Sequence, residues 1–166
     1  MRITFILLLL SFSCPLVSQN NFAKELKEII KDSTNHFQKF KGTAKEMPDA
    51  ESSYYNSTIN LEGTKENWVI IHRSVCSYSA DIADSVTKNK GKKILDAWKM
   101  KLESILGGEY KIEKGRLIFD NLFSEGWNFK RDNFSLSIML SQHFYDKSLY
   151  VVRLSIGHEH PTPKSL

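Results

Sequence analysis

The chain is 166 residues long, and its 23 Lys and Arg against 19 Asp and Glu give a formal charge of +4. That length is one domain's worth, and so mild a charge does not demand nucleic acid. No apolar run beyond the first residues approaches the roughly 20 that a membrane-spanning helix needs, and no motif implies a cofactor.

Residues 1–18 read as a secretory signal peptide. Met1-Arg2 supplies the positive charge, Ile3 to Leu10 is apolar apart from Thr4, and small residues follow around Pro15. Cleavage after Ser18 makes Gln19 the first residue of a secreted or periplasmic protein. A lipoprotein anchored through Cys14 is the alternative, although Ser11 and Phe12 are not the usual residues ahead of a lipidated cysteine. Removing 18 residues from 166 leaves 148, and such a chain buries about two-thirds of its unfolded surface, enough for a core without staples. Cys76 is then alone, so no intramolecular disulfide is expected.

Phe22, Leu26, Ile29, Ile30, Phe37 and Phe40 keep helical spacing, which predicts an amphipathic helix over 22–41 between Asn21 and Gly42. Thr43 to Ser53 contains Pro48 and reads as a loop. Tyr55, Ser57, Ile59 and Leu61 alternate with Tyr54, Asn56, Thr58 and Asn60, the period of a half-buried strand. Glu62 to Asn67 reads as a hairpin loop, and Trp68 to Tyr78 as one central strand with apolar residues on both faces. Ala80, Ala83 and Val86 share a side of a single helical turn.

The chain is organised around 90–106. Ile94, Leu95, Trp98, Leu102, Ile105 and Leu106 form one apolar stripe of a helix that Gly107-Gly108 ends. Next, 110–114 and 116–123 read as strands around a turn at Gly115. Phe134, Leu136, Ile138 and Leu140, then Tyr150, Val152, Leu154 and Ile156, alternate strictly and predict a hairpin around the polar loop 142–148. Residues 158–166, with Pro161 and Pro163, read as a tail. The order α-β-β-α-β-β-β-β predicts a single α+β domain over 19–157. Its antiparallel sheet has about five to six strands, with two amphipathic helices on one face. An α-β-β unit occurs twice, without a residue-level repeat.

Few residues invite chemistry. His72 and Cys76 on one extended strand stand roughly 13 Å apart, too far for a nucleophile and its base. A buried lone thiol is ordinarily inert packing. His158 and His160 project to one side of an extended chain at a span suited to a metal, and Asp132 could reach them if the last hairpin pairs around 145–146. Two histidines alone are too few ligands. Lys90, Lys92 and Lys93 crowd a helix start, where they oppose the helix dipole but could hold an anion. Tyr54, Val69, Ile71 and Val75 are candidates for an apolar patch on a free sheet face.

With no nucleophile elbow, zinc-protease or paired-cysteine motif, the favoured reading is an exported, non-enzymatic binding or accessory protein. Its sheet face would take a protein, peptide or small apolar ligand. A small secreted hydrolase using Cys76 or a histidine is one alternative. A lipid-anchored envelope protein is the other.

Overall fold

Two helices each introduce four strands, and the eight strands make one antiparallel sheet. The computed structural model describes residues 14–46, 51–73, 75–119 and 122–158. The first half is α1 (Cys14–Asp32), β1 (Lys41–Lys45), β2 (Ser52–Ser57), β3 (Glu66–His72) and β4 (Val75–Val86). The second is α2 (Lys88–Leu106), β5 (Lys111–Phe119), β6 (Leu122–Arg131), β7 (Phe134–Gln142) and β8 (Tyr150–His158). The strand order is β1-β2-β3-β4-β8-β7-β6-β5, so β4 and β8 meet at the centre. The α+β class holds, and the sheet has eight strands where the sequence pattern predicts five or six. Of the expected signal peptide, residues 1–13 lie outside the described residues, as do 159–166 of the expected tail. Among the described residues no helix is long and apolar enough to cross a membrane.

Both helices lie on one face of the sheet, the face that carries Val69, Tyr78, Leu154, Ile156, Leu136 and Ile138. The stripe of α2 is as expected: Leu95, Leu102 and Leu106 are buried, and Ile94, Trp98 and Ile105 pack against the core. Thr87 caps its start, its side chain accepting from the Lys90 amide. Gly107 ends it at φ 64, a conformation that side chains rarely adopt. Gly91 lets the helix approach the sheet, because a Cβ there would fall on Leu140 Cδ1. The two helices meet where Phe22 sets its ring edge-on to Trp98, centroids 5.3 Å apart.

The helix expected over 22–41 ends early, at Asp32. Its C-terminus is tied off locally: the Phe37 amide donates back to the Asp32 carbonyl at 3.1 Å, and the Lys39 amide to the Asp32 carboxylate at 3.0 Å. His36 and Phe37 both adopt positive φ, and 3-10 turns at Ser33–Asn35 and Gln38–Phe40 flank them. Phe37 and Phe40 still reach the core, so helical spacing among apolar residues overstated the helix. The segment read as loop then begins with β1, whose Lys-Gly-Thr-Ala-Lys sequence shows no alternation.

The stretch Trp68–Tyr78 is two strands, not one. It folds back at Arg73, which takes φ 54, so that His72 pairs with Val75 and Ile71 with Cys76. The expected helical turn at Ala80–Val86 is instead the end of β4. Against β8, the register slips between Asp81 and Ala83 and again between Ala83 and Val86. Each slip inserts a residue, so Ala80, Ala83 and Val86 reach the core every third position and imitate a helix. Gly115 makes no turn either. It lies within β5 opposite Gly126, whose Cβ would strike the Ile138 carbonyl.

The strand order is the same counted inward from either edge, four strands from each half, with β4 and β8 antiparallel at the centre. Phe22, Leu26, Ile29 and Ile30 of α1 match Trp98, Leu102, Ile105 and Leu106 of α2 at a constant spacing of 76 (22 to 98, 30 to 106). Ser79 and Ser155, which face each other across the central pair, have that same spacing. The repeat not visible by residue matching is therefore present as two α-β-β-β-β halves.

A cleft between the helix ends and the β6–β7 turn

The register decides what the free face of the sheet can offer. Tyr55, Val69 and Tyr78 are neighbours across β2, β3 and β4 on the helix side, and Ile71 and Cys76 follow two positions along. Tyr54, Ile70 and Val75 therefore point to the other side. The expected patch of Tyr54, Val69, Ile71 and Val75 is thus divided between the two faces. The free face is mostly small and polar, with Ser77, Ser79, Ser155, Ser135 and Ser137 running across its centre. One large feature of it is built on Trp68. The Arg153 guanidinium lies 5.3 Å from that ring and grips Asp81 with both arms, at 2.6 and 3.1 Å. Asp81 and Ser79 are buried beneath it, so this group is packed and satisfied rather than open.

Cys76 and His72 are separated, for a reason other than distance along a strand. Cys76 faces the helices and packs against the core, whereas His72 is on the opposite side of the sheet. The His72 ring is engaged with the Ser52 hydroxyl at 2.9 Å. Burial pushes the Cys76 thiol above its ordinary value, with Lys41 opposing, so the thiolate is disfavoured. Lys90, Lys92 and Lys93 are exposed on the first turns of α2, and Lys92 pairs with Glu125 at 3.3 Å. The last hairpin pairs about residue 146, as expected, and puts His158 opposite Phe134. The backbone of His158 ends β8, and His160 lies outside the described residues. Among the described residues no group of three or more His, Cys, Asp or Glu is arranged to hold a metal.

A further opening lies where none of these residues is. A cleft of about 720 Å³ is enclosed by the C-terminal part of α1, the end of α2 and the turn between β6 and β7. Its apolar wall comes from Ile30, Ile105, Leu106, Tyr110 and Phe134; Lys27 and Lys31 stand on the α1 side of the rim, and Arg131, Glu109 and Asp132 on the other. The fold makes it directly. The helix stripes end at Ile30 and at Ile105-Leu106, the equivalent positions of the two halves, and both sets line the cleft. Positive φ at Asp132 turns β6 back into β7 below them.

The aromatic side of the cleft is fixed. Tyr110 meets Phe134 edge-on at 6.2 Å, and the Arg131 guanidinium lies 4.9 Å over the Tyr110 ring. Arg131 is held there by Glu109 at 2.7 Å. Burial raises the Tyr110 hydroxyl pKa above its ordinary value, with Arg131 opposing and Glu109 assisting. The phenol therefore stays protonated at neutral pH and can donate a hydrogen bond. Ser33, whose hydroxyl donates to the Ile30 carbonyl at 2.7 Å, closes the end beside Thr34.

A volume of this size falls in the range of roughly 300–1,000 Å³ usual for small-molecule sites. Arg131 is matched by Glu109, so the excess positive charge lies with Lys27 and Lys31, and an apolar wall beside them favours a ligand with an apolar body and a negatively charged end. The sequence held one signal for it: Lys27 and Lys31 share a side of α1 four residues apart, one turn along from Ile30. What the sequence lacked was the turn at Arg131–Phe134 that brings the other wall across. No protein-family model, curated protein or solved structure matches this chain.

Proposed function

We propose that this chain is an exported, non-enzymatic binding protein whose cleft takes a small amphiphile with an anionic head. One observation carries the reading: the 720 Å³ cleft has an apolar wall and Lys27, Lys31 and Arg131 on its rim. The ligand body would lie against Ile105, Leu106 and Phe134, and its head would meet the two lysines. The site moves from the sheet face to the helix ends because the register splits the expected patch, leaving Tyr54 and Val75 on the free face without Val69 and Ile71.

Titration calorimetry with dodecanoate, dodecanol and dodecyltrimethylammonium tests this. Dodecanoate is expected to bind in a one-to-one, saturable way, more tightly than dodecanol, with the cation excluded. Lys27→Gln with Lys31→Gln should weaken dodecanoate about tenfold or more, as loss of charge-assisted contacts does. The same change should leave dodecanol almost untouched. Ile105→Trp, which fills the cleft, should abolish both. Equal binding of the anion and the cation, or no saturable binding of either, would refute the proposal. Export is tested apart from ligand binding, by mass spectrometry of the native protein: an N-terminus at Gln19 supports it, and an intact Met1 or a lipid on Cys14 does not.

A further inference from the structure

The opposite end of the molecule carries a different kind of surface. Phe144 and Tyr145, 66% and 86% exposed, form the tip of the β7–β8 loop. Their rings meet edge-on at 5.3 Å. The loop that presents them is braced from within. Asp146 accepts from the Ser148 amide at 2.9 Å and from its hydroxyl at 2.6 Å. Gln142 donates to the Lys147 carbonyl at 2.8 Å, and the His143 amide to the Leu149 carbonyl at 2.9 Å. Two large aromatics held out in water on an ordered loop have no role in the core.

Lysines surround the base of this loop. The β4–α2 corner abuts it, with Asp84 3.9 Å from the His143 ring. Lys88 Nζ lies 5.2 Å from the Phe123 ring and 5.8 Å from that of Tyr150, the residue at which β8 begins. Lys90, Lys92 and Lys93 follow within one and a half turns of α2, all exposed, with no acidic residue in its first turn. The lysines outnumber the carboxylates beside them: Glu125 pairs with Lys92 at 3.3 Å, Asp146 accepts from Ser148, Asp84 lies 3.9 Å from the His143 ring, and Asp96 follows one turn along α2. Lysines at this end of a helix oppose its dipole, so their placement does nothing for the helix itself.

We propose that this end docks on an anionic lipid surface, with Phe144 and Tyr145 entering the headgroup region and Lys88, Lys90, Lys93 and Lys147 meeting lipid phosphates. Peripheral membrane binding needs two signals, an apolar one and a polybasic one, and both are present here within one loop and one helix start. The Tyr145 hydroxyl suits the interface better than the hydrocarbon interior, and Phe144 beside it supplies apolar area. The geometry leaves the cleft free, because β7 separates the two sites by roughly 25 Å along its length.

Sedimentation of the full chain with vesicles of phosphatidylcholine alone, and of phosphatidylcholine mixed with phosphatidylglycerol, provides the test. Binding is expected only to the mixed vesicles and should fall steeply as salt is raised. Lys90→Gln with Lys93→Gln should weaken it about 25-fold, or fivefold for each lysine. Phe144→Ser with Tyr145→Ser should weaken it about tenfold. All four residues are exposed, so unchanged thermal melts will confirm that the variants fold. Tyr145→Trp adds a readout confined to the loop: its emission should shift to the blue on mixed vesicles and stay put on phosphatidylcholine. Equal binding to both lipids overturns the proposal. So does vesicle binding that survives both double variants, or a Tyr145→Trp signal that never shifts, as a protein-binding loop would give.

Discussion

Replacing Gly91 by alanine puts two effects of opposite sign in competition. In an exposed helix, glycine to alanine gains about 1 kcal/mol of propensity. Gly91 is buried, however, and a methyl placed there would fall on Leu140 Cδ1, well inside the roughly 3.5 Å at which carbons make contact. Leu140 is fully buried on β7, and Val86 Cγ2 stands 3.5 Å from the same methyl, so the collision has little room to relax. Overpacking of this kind costs about 1–3 kcal/mol, occasionally more. Gly91→Ala is therefore expected to lose about 1–2 kcal/mol net in urea melts. Leu140→Ala alone should cost about 2–5 kcal/mol. In that background the new methyl enters vacated space, and Gly91→Ala should become neutral or stabilising by up to about 1 kcal/mol. A gain from Gly91→Ala in the unmodified chain would refute the reasoning, since α2 would then sit farther from β7 than its contacts require.

Trp98→Ala should cost about 2–4 kcal/mol, since Trp98 holds Phe22 and closes over Gly63, while Lys93→Ala on the far side should cost under ~0.5 kcal/mol. Equal losses for the two in urea would mean that the helix face is misassigned. Cys76 should react with a thiol reagent more slowly in the native protein than in urea at neutral pH, because burial holds its thiol above the ordinary value. Native labelling as fast as unfolded labelling would contradict its packing against the core. Glu28, Glu113 and Asp146 all have folded pKa values below their ordinary 4.5, 4.5 and 3.8, through hydrogen bonds from Lys39, from Lys111 and Lys130, and from Ser148. Their folded forms bind fewer protons than the unfolded chain, so their contribution is complete above those values and is lost as pH falls through the lower folded ones. Thermal melts should then be flat in this respect from pH 7 to about 5 and decline below about 4.5; a midpoint that rises on acidification would reverse the sign.

What the sequence disclosed tracks how each element is stabilised. α2 and the β7–β8 hairpin are legible because one face of each is buried along its whole length, and burial leaves a period. β1 left no trace, being an edge strand of Lys41–Lys45 held by backbone pairing and by polar contacts such as Thr43 with Asn56 and Lys45 with Glu66, none of which leaves an apolar period. The turn at Arg73 was hidden because it lacks the Gly, Asn or Pro that normally marks such a reversal, and positive φ at an arginine is invisible in a sequence. β4 misled through its two extra residues, which turn a period of two into a period of three. For the sites the same logic holds. Lys90, Lys92 and Lys93 were picked out by their crowding, but the loop that gives them a neighbour in Phe144 and Tyr145 is far along the chain. The cleft depends on Ile30, Ile105 and Phe134 coming together from three elements, and no local pattern announces that.

The continuity of the sheet across the β4–β8 pair bears on what half of this chain would do. A polypeptide ending at Val86 would hold one helix and four strands and leave β4, a central strand with an apolar face, as an open edge. Unpaired N–H and C=O groups along such a strand are a template for any other free edge, so the isolated half is expected to self-associate where the whole chain closes on β8. The two hairpins that deliver the central strands carry no such duty and differ freely. One turns sharply at Arg73, while the other spans the loop that bears Phe144 and Tyr145.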